Sequence, residues 1–243
     1  MTSTTPAALD TMQLRMVIVY GSQTGSCERI AKKMGQVWKQ RGAVASVDVF
    51  EGNTLAHETE DLESLKESYD VIVCCTSSFG DGDPPDNYGD WLLKLLLGAQ
   101  EGRKPLCGMQ HAVLGEGSSV YRETFQNCPR LTDKYLEECG SRRFVMRHET
   151  DVGGEEEEAI SRDKFREAVL SKLQEGLPAA DARPEAAWSE PRATHGEPTD
   201  QITAKSAVEL GGSRGQTLGQ IVVPITVAVL AVCGFVYTQY FMD

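Results

Sequence analysis

The chain has 243 residues, with 24 Lys and Arg against 36 Asp and Glu, a formal net charge of −12. So acidic a chain has no electrostatic footprint for a phosphate backbone, which excludes nucleic acid as a partner. Its 7 cysteines and 4 histidines are scattered without a C-x-x-C pair, which argues against a disulfide framework or a Cys/His zinc site and for a reducing, cytosol-facing compartment.

Residues 1–13 are polar and unpatterned, with neither a basic start nor an apolar core, so they are no secretory signal and are expected to be disordered. From 14 to 175 apolar runs alternate with amphipathic stretches. Residues 14–20 (LRMVIVY) predict a strand, and residues 26–41 a helix with Ile30, Met34, Val37 and Trp38 on one face. A second strand is expected over 44–50 and a short acidic helix over 60–68. The run DVIVCC at 70–75 reads as a central strand covered on both faces. A helix over 88–97, a strand over 110–114 and a helix over 123–139 follow, the last ended by Gly140, a favoured residue just past a helix terminus. A strand over 142–146 and a helix over 157–173 complete the pattern. Five strands alternating with helices imply right-handed crossovers and a parallel sheet covered on both faces.

Residues 176–218 carry Pro178, Pro184, Pro191 and Pro198 and few large apolar side chains, which reads as a disordered linker. Residues 219–243 read differently. The 21 residues of 221–241 carry no charge, and a helix of that length, roughly 31 Å, matches a hydrocarbon core of about 30 Å. Lys205 and Arg214 precede it and Asp243 follows, so the charge bias places the folded domain in the cytosol. The position near the chain end suggests tail-anchored insertion, with the endoplasmic reticulum favoured.

Ligands of such sheets lie beyond the carboxyl ends of the strands, so three loops draw attention. Ser22, Gln23, Thr24, Gly25 and Ser26 join the first strand to its helix and offer amides, hydroxyls and a helix N-terminus to a phosphate. No Lys follows the glycines and no G-x-G-x-x-G is present, so neither an ATPase loop nor a dinucleotide fingerprint applies; a plain turn is the alternative. Ser77, Ser78, Phe79 and Gly80 follow the third strand. There an aromatic among small residues either stacks on a planar ring or tucks under its own loop. Leu114, Gly115 and Tyr121 follow the fourth strand, with a tyrosine that either faces a ligand or caps the next helix. Together the loops suit a mononucleotide bearing a flat ring.

The segments VIVYGSQTGSCERIA, SSFGDGDPPDN, LGEGSSVYRETF and YLEECGSRRF resemble the FMN-binding flavodoxin-like domain of the diflavin reductases. The resemblance covers about residues 15–173. It implies a doubly wound five-stranded parallel sheet of order 2-1-3-4-5, to which the transmembrane helix, expected from residues 221–241 alone, is appended at the end opposite to the anchor of the membrane-bound haemoprotein reductases. It also implies that Ser22, Gln23, Thr24, Gly25 and Ser26 hold the FMN phosphate. Ser77, Ser78, Phe79 and Gly80 would line the inner ring face, and Leu114, Gly115 and Tyr121 would close the other side. Asp151 matches an acidic position after the last strand. The spacings around Tyr121 are longer than usual in that family, so Arg122 is an alternative for the outer face. No FAD or NADPH domain is expected after residue 173. The implied function is a membrane-anchored carrier of single electrons from a separate NAD(P)H/FAD-type reductase to a haem or other redox acceptor, which its acidic surface would help to steer. The other readings are a tethered flavin-binding scaffold without turnover and a self-contained quinone-type flavin reductase.

Overall fold

The computed structural model describes residues 14–154 and 157–177. Strand β1 (Arg15–Gly21) is buried almost throughout and turns into helix α1 (Ser26–Gln40). Strand β2 (Ser46–Glu51) leads to the short helices α2 (Gly52–Glu58) and α3 (Leu65–Ser68), then to β3 (Val71–Ser77). Helix α4 (Gly89–Gln100), strand β4 (Gln110–Gly117), a 3-10 turn (Ser119–Thr124) and helix α5 (Asn127–Glu138) come next. The chain then forms β5 (Arg142–Arg143), β6 (His148–Asp151) and helix α6 (Glu158–Glu175).

All strand pairings are parallel, in the order β2-β1-β3-β4-β5 with β6 also on β4. Because β1, β3 and β4 are apolar on both sides, each face needs a helical cover. On one face Met16, Ile18, Val73 and Leu114 pack with Trp38 of α1 and Phe165 of α6. The Trp38 indole also donates to the Arg166 carbonyl at 3.1 Å, which ties α1 to α6. On the other face Val17, Val19, Ile72 and Val113 pack with Trp91 of α4 and Leu131 of α5.

Two expectations are corrected. The acidic helix over 60–68 is instead α2 ahead of it plus the four residues of α3. Helix α2 begins at Gly52, where a Cβ would strike Tyr88 and Trp91, so the glycine permits a close approach to α4. The fifth strand is also divided. Its first part pairs with Gln110 and His111 and its second with residues 114–117 of β4. Between them Phe144 and Val145 leave the ladder for the core, while Arg147 joins a buried ion network.

That network fastens both parts to α5. Asp133 accepts from Arg143 Nε and Arg147 Nη1, each at 2.8 Å, and faces His111 Nε2 at 3.3 Å. Glu149 of β6 binds Arg130 through both carboxylate oxygens, at 2.9 and 2.7 Å, and Arg147 at 3.0 Å. Burial alone would raise the Asp133 carboxyl, but hydrogen bonds and charge from His111 and Arg143 outweigh it and hold the group well below the usual carboxylate range.

The expected N-terminal disorder, most of the linker and the membrane segment at 221–241 lie outside the described residues. Among the described residues no helix is long and apolar enough to cross a membrane.

Candidate functional site

Beyond the carboxyl ends of β1, β3 and β4 lies a cleft of about 820 Å³, of the size of a small-molecule site. At one part of it the chain turns into α1 through Gly25, whose φ of 80° is left-handed. The Ser22 hydroxyl accepts the Cys27 amide at 3.2 Å, and the Ser22 amide donates to Asn87 Oδ1 at 2.9 Å. The Gln23 side chain and Asp86 exchange two hydrogen bonds, at 2.9 and 3.1 Å. These contacts lock the turn against the loop before α4. The first-turn amides and the hydroxyls of Thr24 and Ser26 thereby form a polar, positively polarised rim.

The loop after β3 carries Phe79. Its amide and carbonyl both pair with Asp83 at 2.8 Å, and Gly80 and Gly82 adopt left-handed φ of 53° and 95° inside that tight turn. Asn127 at the start of α5 donates to the Gly82 carbonyl at 2.8 Å, and the Ser78 hydroxyl accepts the Cys128 amide at 2.9 Å. So fixed, Phe79 does not fold under its loop. It lines the cleft and is 52% exposed, a large apolar area to leave in water.

Tyr121 stands on the 3-10 turn, 67% exposed and also lining the cleft. Helix α5 starts six residues later, so Tyr121 does not cap it. The turn is pinned by Asp151, whose Oδ1 accepts the Ser119 amide at 2.7 Å, and by the Val152 amide on the Gly117 carbonyl at 2.6 Å. Arg122 adopts φ 47° and ψ −104° and does not line the cleft.

Of the residues singled out by sequence, Ser22, Gln23, Thr24, Ser26, Ser77, Ser78, Phe79, Gly80 and Tyr121 meet on this one cleft. Gly25, Leu114, Gly115 and Asp151 do not line it. Leu114 is buried in the core beneath α6, and a Cβ at Gly115 would collide with Gln126 and Pro129 of the α5 approach. Asp151 acts on the outer turn. Sequence reasoning missed Glu116, Glu158 and Arg162 on the wall, and Gln126. Gln126 is fully buried in a left-handed conformation, its side-chain amide donates to the Thr150 carbonyl at 2.9 Å, and its Oε1 has no hydrogen-bond partner among the described residues. A charged residue between two glycines at a strand end was the available signal for Glu116; nothing pairs it in sequence with a residue 46 positions on.

The flavodoxin family model matches residues 18–167. The chain belongs to the flavodoxin family. Among the relatives of this flavodoxin-family protein, NADPH–cytochrome P450 reductase of Sus scrofa is 33% identical over 163 residues, covering 63% of this chain and 22% of the relative. The bifunctional cytochrome P450/NADPH–P450 reductase of Bacillus cereus is 31% identical over 162 residues, covering 66% of this chain and 14% of the relative. The chain therefore spans 22% or less of the length of these relatives. Oxidised flavodoxin 1 of Bacillus cereus shares the fold with a TM-score of 0.51 at 19% identity, covering 68% of this chain and 99% of that one. A mutant flavodoxin of Fusobacterium nucleatum, solved bound to flavin mononucleotide, gives 0.50 at 11% identity over 68% and 98% of the two chains.

Proposed function

We propose that the cleft binds one FMN non-covalently and that the protein carries single electrons between a separate NAD(P)H/FAD-type reductase and a haem or other redox acceptor. One observation carries the reading: two exposed aromatic side chains share a cleft with the N-terminal turn of α1. That arrangement fits a ligand with a flat ring at one end and a phosphate at the other.

In this reading Ser22, Gln23, Thr24, Gly25 and Ser26 hold the phosphate with neutral donors, and Phe79 and Tyr121 cover the ring. Ser77, Ser78 and Gly80 shape the inner wall. Leu114, Gly115 and Asp151 act as supports, through the β4 end and the outer turn. FMN supplies a ring that takes up and releases electrons one or two at a time. The chain's own part is to orient the ring, exclude water from its faces and set the charge around it. The resemblance to the reductase relatives supports a haem protein as acceptor, and the net charge of −12 supports brief docking on a basic partner. The uncharged residues 221–241 support a single-pass membrane anchor, with the domain in the cytosol.

The test is to purify the full chain, record its visible spectrum and titrate the stripped protein with FMN and riboflavin by calorimetry. A flavin spectrum and tighter binding of FMN than of riboflavin are expected. A colourless protein that gives no heat with FMN would overturn the reading.

A further inference from the structure

Helix α1 departs from the charge balance of the chain. Residues 26–41 hold 5 of the 24 Lys and Arg and only 1 of the 36 Asp and Glu. The inner face of the helix is buried through Ala31, Met34 and Trp38. A Cβ at Gly35 would come within 3.0 Å of Val47 and 3.2 Å of Ile18, so α1 sits close against β1 and β2 and presents its outer face rigidly. At 3.6 residues per turn Arg29, Lys32, Lys33 and Lys39 fall on the arc opposite Trp38, and Arg41 follows at the C-terminal end. All five are exposed. Lys32 Nζ binds Glu28 at 2.6 Å, and Arg29 Nη2 donates to Ser26 Oγ at 3.1 Å, towards the N-terminal turn. Lys33, Lys39 and Arg41 enter no ion pair among the described residues. Like charges gathered on one helix repel one another unless an anion covers them.

We propose that this outer face of α1 rests on the anionic lipid headgroups of the membrane that residues 221–241 enter. The inference rests on the anchor reading above. Two observations favour lipid over a protein partner. The uncharged 21-residue segment of the same chain would hold the domain beside a bilayer. The face itself is also purely polar: none of the exposed large apolar side chains among the described residues lies on α1. A protein partner needs an apolar centre to bind, whereas an anionic headgroup layer needs only cations within a Debye length, about 8 Å. The rest of the domain is acidic and is repelled by the same layer, so attraction at α1 and repulsion elsewhere select one orientation. The cleft lies at the N-terminal end of α1. With the helix flat on the headgroups, it opens along the plane of the membrane, towards a partner held in the same bilayer.

The test uses the full chain reconstituted into vesicles of phosphatidylcholine alone or mixed with phosphatidylserine. Flotation with the neutral vesicles reports the anchor. Orientation is read separately, by lysine acylation followed by mass spectrometry. With phosphatidylserine present, Lys33 and Lys39 should acylate several-fold more slowly than in neutral vesicles, and high salt should erase the difference. Lys134 on α5 and Lys104 beyond α4 are exposed on the other side of the sheet and should not change. When Lys33→Glu is combined with Arg41→Gln, Lys39 should lose its protection while flotation stays as in the parent. Equal rates for Lys33 and Lys39 in the two vesicle types, or equal slowing of Lys104 and Lys134, would overturn the proposal and leave the anchor intact. Slowing that needs an added acidic protein, and not the lipid, would assign the face to a protein and overturn it as well. Failure of the chain to float with either vesicle would remove the anchor reading itself, and this inference with it.

Discussion

Phe79 is displayed by a five-residue turn whose ends exchange two hydrogen bonds and whose left-handed positions are both glycines. Its ring is therefore positioned before any ligand arrives, and little ordering entropy remains to oppose stacking. Phe79→Ala should weaken FMN and riboflavin binding alike, by about 1–3 kcal/mol, as read by fluorescence titration. Thr24→Ala should weaken FMN several-fold and leave riboflavin nearly unchanged, because the proposed reading gives its hydroxyl to the phosphate. An equal loss for both ligands in Thr24→Ala would contradict the assigned orientation. The position of Phe79 and Tyr121 among small polar residues at strand ends was legible in sequence. Whether they face a cleft, tuck under a loop or cap a helix was not, because exposure depends on how the loops are pinned in the fold. The pairing of Glu116 with Arg162 was not legible either, because an ion pair across the fold leaves no local pattern.

At the scale of elements, β1, β3, α1 and α4 follow from apolar runs and helical periodicity, while their order in the sheet was implied by the family resemblance and is the order observed. What sequence missed lacks such periodicity. Strand β6 reads His-Glu-Thr-Asp, with no apolar alternation, because ladder hydrogen bonds and ion pairs hold it. Helix α2 opens on a glycine that looks like a breaker and serves as a contact. Asp133 joins the divided strand to α5, so Asp133→Asn should leave Arg143 with Glu137 and Arg147 with Glu149 as their remaining carboxylates, and cost about 1.5–3 kcal/mol in urea unfolding. The carboxyl's depressed value fixes the sign of its pH effect. Its contribution to stability is full above the unfolded value, near pH 4, and is lost as the pH falls below it. The parent should therefore lose stability more steeply than Asp133→Asn below about pH 4, which acid titration followed by circular dichroism will show. Parallel acid profiles would place the depressed charge elsewhere.

For the whole molecule, the FMN reading and the anchor reading make separate predictions. A reporter fused to residues 215–243 should fractionate with membranes, with the reporter facing the cytosol; a soluble fusion would remove the anchor. The FMN-loaded full chain, mixed with NADPH without oxygen, should keep its colour until an FAD-type reductase is added and should then bleach. Bleaching before that addition would favour a self-contained flavin reductase instead. A further property follows from the division of the edge strand. An unbroken outer strand would offer a row of free amides and carbonyls on which a second polypeptide could build. Here the row is interrupted by residues 144–147, and two arginines are drawn across the gap to Asp133. The opposite edge carries the carboxylates of Asp48 and Glu51. Among the described residues neither border presents a long, flat, neutral template, which protects the domain against strand-to-strand aggregation at high local concentration.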